Sequence, residues 1–493
     1  MATTTSEPQR LGGSGRKLGL VDVVAQSVGF MGPVFSIAFL VPLVVGIISA
    51  TGKGAGNAAP LAVLIAAIGI LAVAWVVSEY AKRIQAAGAL YDYVTDGLGQ
   101  KVGAMSGFVY YLGVLALGGG LLVLIAGSIH DTLAAEFNWT GIPILGWSLI
   151  LLVLIAAIKY LGVALSTRAQ LVLALLSIAT VLLFSLYVIG KAGGGNVATA
   201  FKPSSSPTGI SGVAFGIVYA VLLFTGFETA ANLAEETEHP KRHIPRAVLA
   251  AVVIITAFYL ICSYAQVAGY HFNLSLMGKN AVAPLFGLAA PPSAGGYGGT
   301  AIRRLLELVV LFDMLAVLIG VSVAACRGIF AMARDHRFPR VLGRVSSRGT
   351  PLNASVIVVV FFAIVIALTQ WAPGLFATPN TPHYAAMFNW GSAFGGLALT
   401  VIYLLLCAGA VRGLRDHPAQ WKVWLAVVVG VLVTAAAVFG AIYKVPTPTI
   451  WAAWAVVAAL AVGLIMAYAV PGVQTAHTAY RELPESEQGP VKL

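Results

Sequence analysis

Charge is what this sequence lacks. Only 10% of its 493 residues are Asp, Glu, Lys or Arg, against the roughly 25% with which a soluble domain covers its surface. A chain of this length could bury a large core, but 59% hydrophobic residues and a mean hydropathy of +0.91 leave too little polar surface to face water. Lipid is the solvent this composition requires. Cysteine is also scarce: Cys262, Cys326 and Cys407 each lie in an apolar run, which excludes a disulfide framework and leaves packing as their role. The histidines show no metal-ligand spacing, so no metal is expected. A Gly-rich phosphate loop with its lysine is missing, so ATP-driven work has no support, and no cofactor is expected. Residues 1–17 lack the apolar core and cleavage site of a signal peptide, and the first spanning helix is expected to serve as the insertion signal. The net charge of +11 would point to nucleic acid in a soluble protein. Here it is assigned to loops on one membrane face, with no nucleic-acid partner.

What is present is a series of apolar runs near 20 residues, the length that crosses a bilayer as helix. About twelve are expected: Leu20–Ala50, Pro60–Val77, Val102–Ile129, Pro143–Gly162, Ala169–Ile189, Ser211–Glu235, Pro245–Ala268, Arg304–Ala333, Ala354–Trp371, Ala385–Val411, Trp424–Tyr443 and Ile450–Val470. The outer loop 270–299 is expected to hold a short helix at Ala283–Ala289. An even number puts both ends on one side. With the N-terminus inside, 22 of the 29 Lys and Arg fall in inner segments and 7 in outer ones, a positive-inside bias that makes both termini cytoplasmic. The expectation is an all-α polytopic protein of the plasma membrane. Its mobile tails would be 1–17 and 471–493, around a transmembrane domain at 18–470.

One stretch breaks its own pattern. The sixth run carries Phe224–Thr225–Gly226–Phe227–Glu228, with a glycine and a carboxylate where a spanning helix should be most apolar, and a second helical run, Ala230–Glu238, follows. Glycine costs about 1 kcal/mol of helix propensity, and a carboxylate near the bilayer centre roughly 2.5–3.5 kcal/mol. Broken backbone at that depth is tolerated where protein or a watery cavity satisfies it, which reads as a discontinuous helix lining a binding site. An inverted-repeat transporter would break its first helix too. That helix reads VAQSVGFMGPVFSIAFLVP, with Gly29, Gly32 and Pro33 near its centre, and an interior proline costs about 3 kcal/mol.

These residues resemble a known family. FTGFE followed by LAEETEHPKRHIPRAV is similar to the sixth helix and following loop of the amino acid–polyamine–organocation (APC) permease superfamily. Glu79–Tyr93, EYAKRIQAAGALYDY, resembles the family's stretch before helix three. Cys326–Pro339, CRGIFAMARDHRFP, resembles its motif after helix eight, with Cys326 in the serine place and His336 in the glycine place. The likeness covers about residues 18–410. It implies a leucine-transporter-like 5+5 inverted repeat: helices one to five at about 20–190, helices six to ten at about 209–411, and two further helices at about 424–470. It also implies a small-molecule substrate moved by alternating access.

In two broken helices, free amides suit a carboxylate and free carbonyls suit an ammonium or metal cation. Gly29, Phe30, Met31 and Gly32, with Phe224, Thr225, Gly226 and Glu228, are the substrate-binding candidates, the alternative being close packing of small residues. The family's helix-one pattern is Gly-x-Gly-Ile-Phe, whereas Met31–Gly32–Pro33–Val34–Phe35 stands here. Proline donates no hydrogen bond, so the carboxylate cradle is one amide short, which leaves room for an amine in place of an amino acid. Coupling candidates are Glu228 and Asp313 for a proton, and Ser177 and Ser322 for a sodium ion. Glu228 could equally bond the broken backbone, Asp313 could pair with Arg303 or Arg304, and the serines could bond their own helices. A lysine that some relatives carry on helix five is replaced by Ser177. Lys159, near the inner end of the fourth helix, is expected to snorkel. Tyr110 and Tyr111 could face either substrate or core, while Trp390 fits interface or core better than substrate. The leading function is secondary active transport of amino acids, with polyamines or other organic amines as the alternative. A membrane enzyme would need clustered catalytic side chains, and a channel a repeated pore motif. Neither is found.

Overall fold

The computed structural model describes residues 17–47, 53–161, 163–193, 197–280, 283–346, 350–377, 381–443, 445 and 447–470, leaving aside the side chains of 161–170. The expected tails lie outside these residues, apart from Lys17. Among the described residues twelve apolar helices form the body: α1 (Leu20–Val45), α2 (Gly56–Ala81), α3 (Gln100–Phe137), α4 (Ile144–Leu161), α5 (Val163–Ala192), α6 (Ile210–Glu236), α7 (Pro240–Gly269), α8 (Thr300–Arg334), α9 (Leu352–Trp371), α10 (His383–Gly413), α11 (Gln420–Ile442) and α12 (Ile450–Ala469). Eleven are long and apolar enough to span a membrane, and α4 is a shorter apolar helix. Among the described residues there is no β-strand, only an isolated parallel bridge between Leu18 and Thr237. All-helical structure follows from the solvent, because within lipid each backbone donor must find its acceptor inside the chain.

Burial separates a centre from a rim. The most apolar windows of α1, α3 and α8 are 83, 78 and 78% buried, whereas those of α5, α9, α11 and α12 are 33% buried and turn Leu, Val and Trp side chains outward to lipid. Close approach in the centre is made with small residues. A Cβ on Gly391 would sit 2.8 Å from the Ala116 carbonyl oxygen, and one on Gly395 2.7 Å from that of Gly113, so α3 and α10 touch backbone to backbone.

Some helix ends depart from expectation. α3 continues past Ile129 to Phe137, because a hydropathy scan stops at the first polar residues while the helix does not. α8 starts at Thr300, its first turns supported by the Arg303–Glu307 pair at 3.0 Å. The outer-loop helix is found at Pro284–Leu288. Lys159 does not snorkel: it is buried, and its ammonium donates to Cys326 Sγ on α8 at 3.4 Å. The reason is the rotation of α4, which turns this face toward α8 and away from lipid.

Both expected breaks are present. α1 is regular to Met31 and Gly32 turns left-handed (φ 56°). Pro33 then opens the second segment, where its missing N–H is no loss, and one π-turn follows over Ser36–Leu40. α6 is regular over Ile210–Leu223, turns at Gly226 (φ 109°), and resumes as a tighter 3₁₀ segment over Phe227–Glu236. That segment takes the place of the second run expected at Ala230–Glu238.

Candidate functional site

The two breaks lie side by side. A Cβ on Gly226 would fall 2.0 Å from Cδ1 of Phe30, so the α1 ring rests on the α6 backbone where a side chain would otherwise stand. Backbone groups freed by the breaks are taken up by neighbours. Ser27 Oγ donates to the Phe227 carbonyl at 2.6 Å and accepts from the Ala230 amide at 3.2 Å. Thr229 Oγ1 donates to the Gly226 carbonyl at 2.7 Å, and Tyr259 of α7 donates its hydroxyl to Leu223 O at 2.6 Å. Gln266 Nε2 donates to Ile37 O at 2.7 Å, and Gln26 Nε2 ties α1 to the unbroken α8 through Gly320 O at 3.1 Å. This is the accounting that buried broken backbone demands.

Next to the breaks lies a cavity of about 70 Å³, walled by Phe30, Met31, Phe35, Thr225, Val317 and Phe388 among others. Among the described residues no charged side chain lines it. Its polar features include the hydroxyls of Thr225 and Ser392, both buried without a hydrogen-bond partner. Of the eight substrate-binding candidates, Phe30, Met31 and Thr225 face this space; Gly29, Gly32, Phe224, Gly226 and Glu228 do not line it. Gly32 is pressed against α8, where a Cβ would lie 2.2 Å from Val317 Cγ2.

Glu228 is buried and turned to α3 and α10. Its Oε1 accepts from Tyr110 at 2.6 Å and its Oε2 from Tyr403 at 2.7 Å. Asp313 is equally buried and reaches α1, where one oxygen, Oδ2, accepts from the amides of Val34 at 3.0 Å and Phe35 at 2.8 Å. It makes no ion pair with Arg303 or Arg304, which pair with Glu307 and Glu136. Ser177 donates to Leu173 O at 2.8 Å and to Val309 O on α8 at 2.7 Å, and Ser322 donates to Ile319 O at 2.8 Å. Both hydroxyl protons are thus used by helix carbonyls. Tyr111 bonds the Gly88 carbonyl at 2.8 Å, and Trp390 stacks on Phe394.

A second cavity of about 460 Å³ lies beyond the first, among Phe39, Asp131, Glu136, Phe286, Arg304 and Tyr384. An aromatic partition separates them: Phe35 meets Phe39 at 5.7 Å and Phe388 at 5.5 Å, and Phe39 meets Phe286 at 6.3 Å. The opposite end, which carries the basic loops, is closed by polar contacts. Arg327 grips Glu236 through two bonds (2.6 and 3.2 Å), Arg334 meets Glu235 at 2.8 Å, and Glu235 also accepts from the Ala87 amide at 3.0 Å. Leu18 is stitched to Glu236 and Glu238 through its backbone at 2.9 Å each.

The sequence reading missed Ser27, Tyr259, Gln266 and Tyr403 as partners of the breaks. Each is a polar group inside an apolar run, the signal that could have found them.

Two broken helices meeting beside an apolar cavity, inside an all-helical apolar body, define a multi-pass membrane transporter with the leucine-transporter-like fold. The chain belongs to the amino acid permease family, whose model matches residues 28–478, and with it to the APC superfamily. It is similar to the aromatic amino acid transport protein AroP of Corynebacterium glutamicum, 26% identical over 349 residues, 66% of this chain and 71% of that protein. It is also 26% identical over 326 residues to the methylthioribose transporter of Bacillus subtilis, covering 62% of this chain and 65% of that one. Among solved structures, the manganese transporter of Eremococcus coleocola superposes with a TM-score of 0.56 at 14% identity, over 90% of this chain and 94% of that one. That likeness is one of fold.

Proposed function

We propose that the chain is a secondary active transporter that moves amino acids across the plasma membrane by alternating access, coupled to an ion. The observation that carries this reading is the pair of interrupted helices beside an apolar cavity in a member of the amino acid permease family. Midplane binding between broken helices is how such carriers hold solute. On this reading the breaks are equivalent positions of two inverted repeats, at about 20–190 and 209–411. The cavity of about 460 Å³ is the outer vestibule, and the ion-paired end is the cytoplasmic gate with both termini beside it. Phe30, Met31 and Thr225 touch substrate, while Glu228 and the glycines shape the site. The apolar wall favours a substrate with an apolar side chain.

A second reading, transport of an organic amine, is favoured by one observation: the helix-one amides that would receive an amino acid's carboxylate are already held by Asp313. A thermal-shift screen of the purified protein against amino acids, their methyl esters and the matching amines separates the two. Ligands that bind the folded state stabilise it by about 2.7 kcal/mol at a hundred times Kd. Stabilisation by amino acids and by neither of the others supports the first reading; stabilisation by amines and esters alone overturns it.

A further inference from the structure

From Gly32 to Ser36 every backbone donor is spoken for. The Gly32 amide bonds Val28 O at 3.3 Å, Pro33 has none, Val34 and Phe35 bond Asp313 Oδ2, and the Ser36 amide bonds Gly32 O at 2.8 Å. The segment that follows runs on to Val45, long enough for its N-terminus to favour an anion. The anion it holds belongs to the chain itself. Asp313 is 0% exposed, and its other oxygen, Oδ1, is buried without a hydrogen-bond partner. Phe35, Ser36 and, one turn along α8, Val317 line the central cavity, so this amide pair lies behind a single layer of side chains.

Among the described residues the surroundings of Asp313 supply no compensating charge. From α7 the titratable group beside it is the Tyr259 phenol, already donating to Leu223 O. From α1 and α5 come the hydroxyls of Ser36 and Ser177, which donate to Met31 O and Val309 O. Along α8, Glu307 and Arg304 lie about 9 and about 14 Å toward the vestibule at 1.5 Å per residue, each in an ion pair. Arg327, with Glu236 and Lys159 around it, is about 21 Å the other way.

We propose that Asp313 and the substrate's α-carboxylate exchange places on the amides of Val34 and Phe35, and that the proton taken up by Asp313 as it lets go is the coupling proton. This rests on the amino acid reading above. In the empty carrier the Asp313 carboxylate accepts both N–H groups. Proton addition makes it a neutral acid and breaks those two charge-assisted bonds, and the incoming carboxylate forms two in their place. One negative charge sits at the helix end before and after. Each zwitterion therefore enters with one proton and carries a net charge of +1. The lysine that some relatives carry on helix five is not needed in this cycle.

The test uses the purified full-length chain with L-leucine and L-phenylalanine, their methyl esters and their decarboxylated amines. Proton uptake on binding is read with an indicator dye in weakly buffered solution, and affinity is measured from pH 5 to 8. The wild type should bind the amino acids at least tenfold more tightly than the esters or amines and, on the alkaline side where Asp313 is ionised in the empty carrier, take up one proton per molecule bound. Its affinity should fall by up to about tenfold per pH unit on the alkaline side. Asp313→Asn should bind with no proton uptake and a flat pH profile. Binding by the wild type without proton uptake on the alkaline side, or an Asp313→Asn variant with the wild-type slope, overturns the exchange and leaves amino acid transport standing. Should the variant fail to fold, the wild-type proton count alone decides. Binding of amines and esters in preference to amino acids, or of no amino acid at any pH, overturns the transport reading and the exchange with it.

Discussion

Removing Arg327 should unlock the basic end of the protein. Its guanidinium holds Glu236 through two bonds, and the two side chains are 4% and 6% exposed, so neither charge is screened by water. Taking away one partner of a buried pair leaves the other uncompensated, at about 3–5 kcal/mol. That penalty falls on the closed arrangement and vanishes once Glu236 reaches water, so Arg327→Met should raise the open population by roughly two to four orders of magnitude. A cysteine at Ala87 reports this directly, because Ala87 is fully buried and its amide is bonded to Glu235. In a background free of the three native cysteines, its reaction with a soluble maleimide should accelerate by that factor, until the open form dominates. The double variant Arg327→Met/Glu236→Met removes both charges and should bring the rate back toward the parent, since replacing a buried pair by apolar groups is often neutral. Equal rates in the single and double variants, or no acceleration in Arg327→Met, would refute the argument that this ion pair holds the gate.

Three other outcomes follow from particular contacts. Tyr403→Phe removes the donor to Glu228 Oε2, which should cost about 1.5–3 kcal/mol of stability in thermal unfolding, and Glu228→Gln in the same background should recover part of it. Gly226→Ala places a methyl 2.0 Å from Phe30 at a φ of 109°. It should weaken substrate binding tenfold or more, with strain of about 1–3 kcal/mol that Phe30→Ala relieves only in its steric part. For topology, in the cysteine-free background, an impermeant maleimide outside intact cells should label Ser204→Cys and leave Val341→Cys unlabelled, both positions being exposed; the reverse pattern would invert the orientation.

The helix number class, the two breaks and the family were legible in the sequence because each leaves a local mark. Gly226 and Glu228 are costly where they stand, Pro33 removes a known donor, and the FTGFE loop is contiguous. What was not legible depends on contacts between distant positions. Asp313 announced itself as an intramembrane acid, but its partners lie 278 and 279 residues away on α1, and no local pattern pairs them. Arg303 and Arg304 were offered as partners because they are near in sequence, yet helical rotation and their own carboxylates take them elsewhere. Lys159 was read as snorkelling from its place at a helix end, whereas the orientation of α4 against α8 decides where it points. Glu235, Glu236, Arg327 and Arg334 all stood in recognisable motifs. That they meet as two ion pairs became visible only when the ends of α6 and α8 were brought together.

Coupled carriage of an amino acid through the site between α1 and α6 is open to direct measurement. Purified protein in sealed liposomes, given an inward proton gradient and a panel of radiolabelled amino acids, tests it most directly. Saturable, concentrative uptake of an amino acid with an apolar side chain is expected, collapsed by a protonophore and abolished by its own unlabelled amino acid but not by the methyl ester. Ohmic ion current without saturable uptake, or uptake indifferent to the gradient and to esterification, would contradict it.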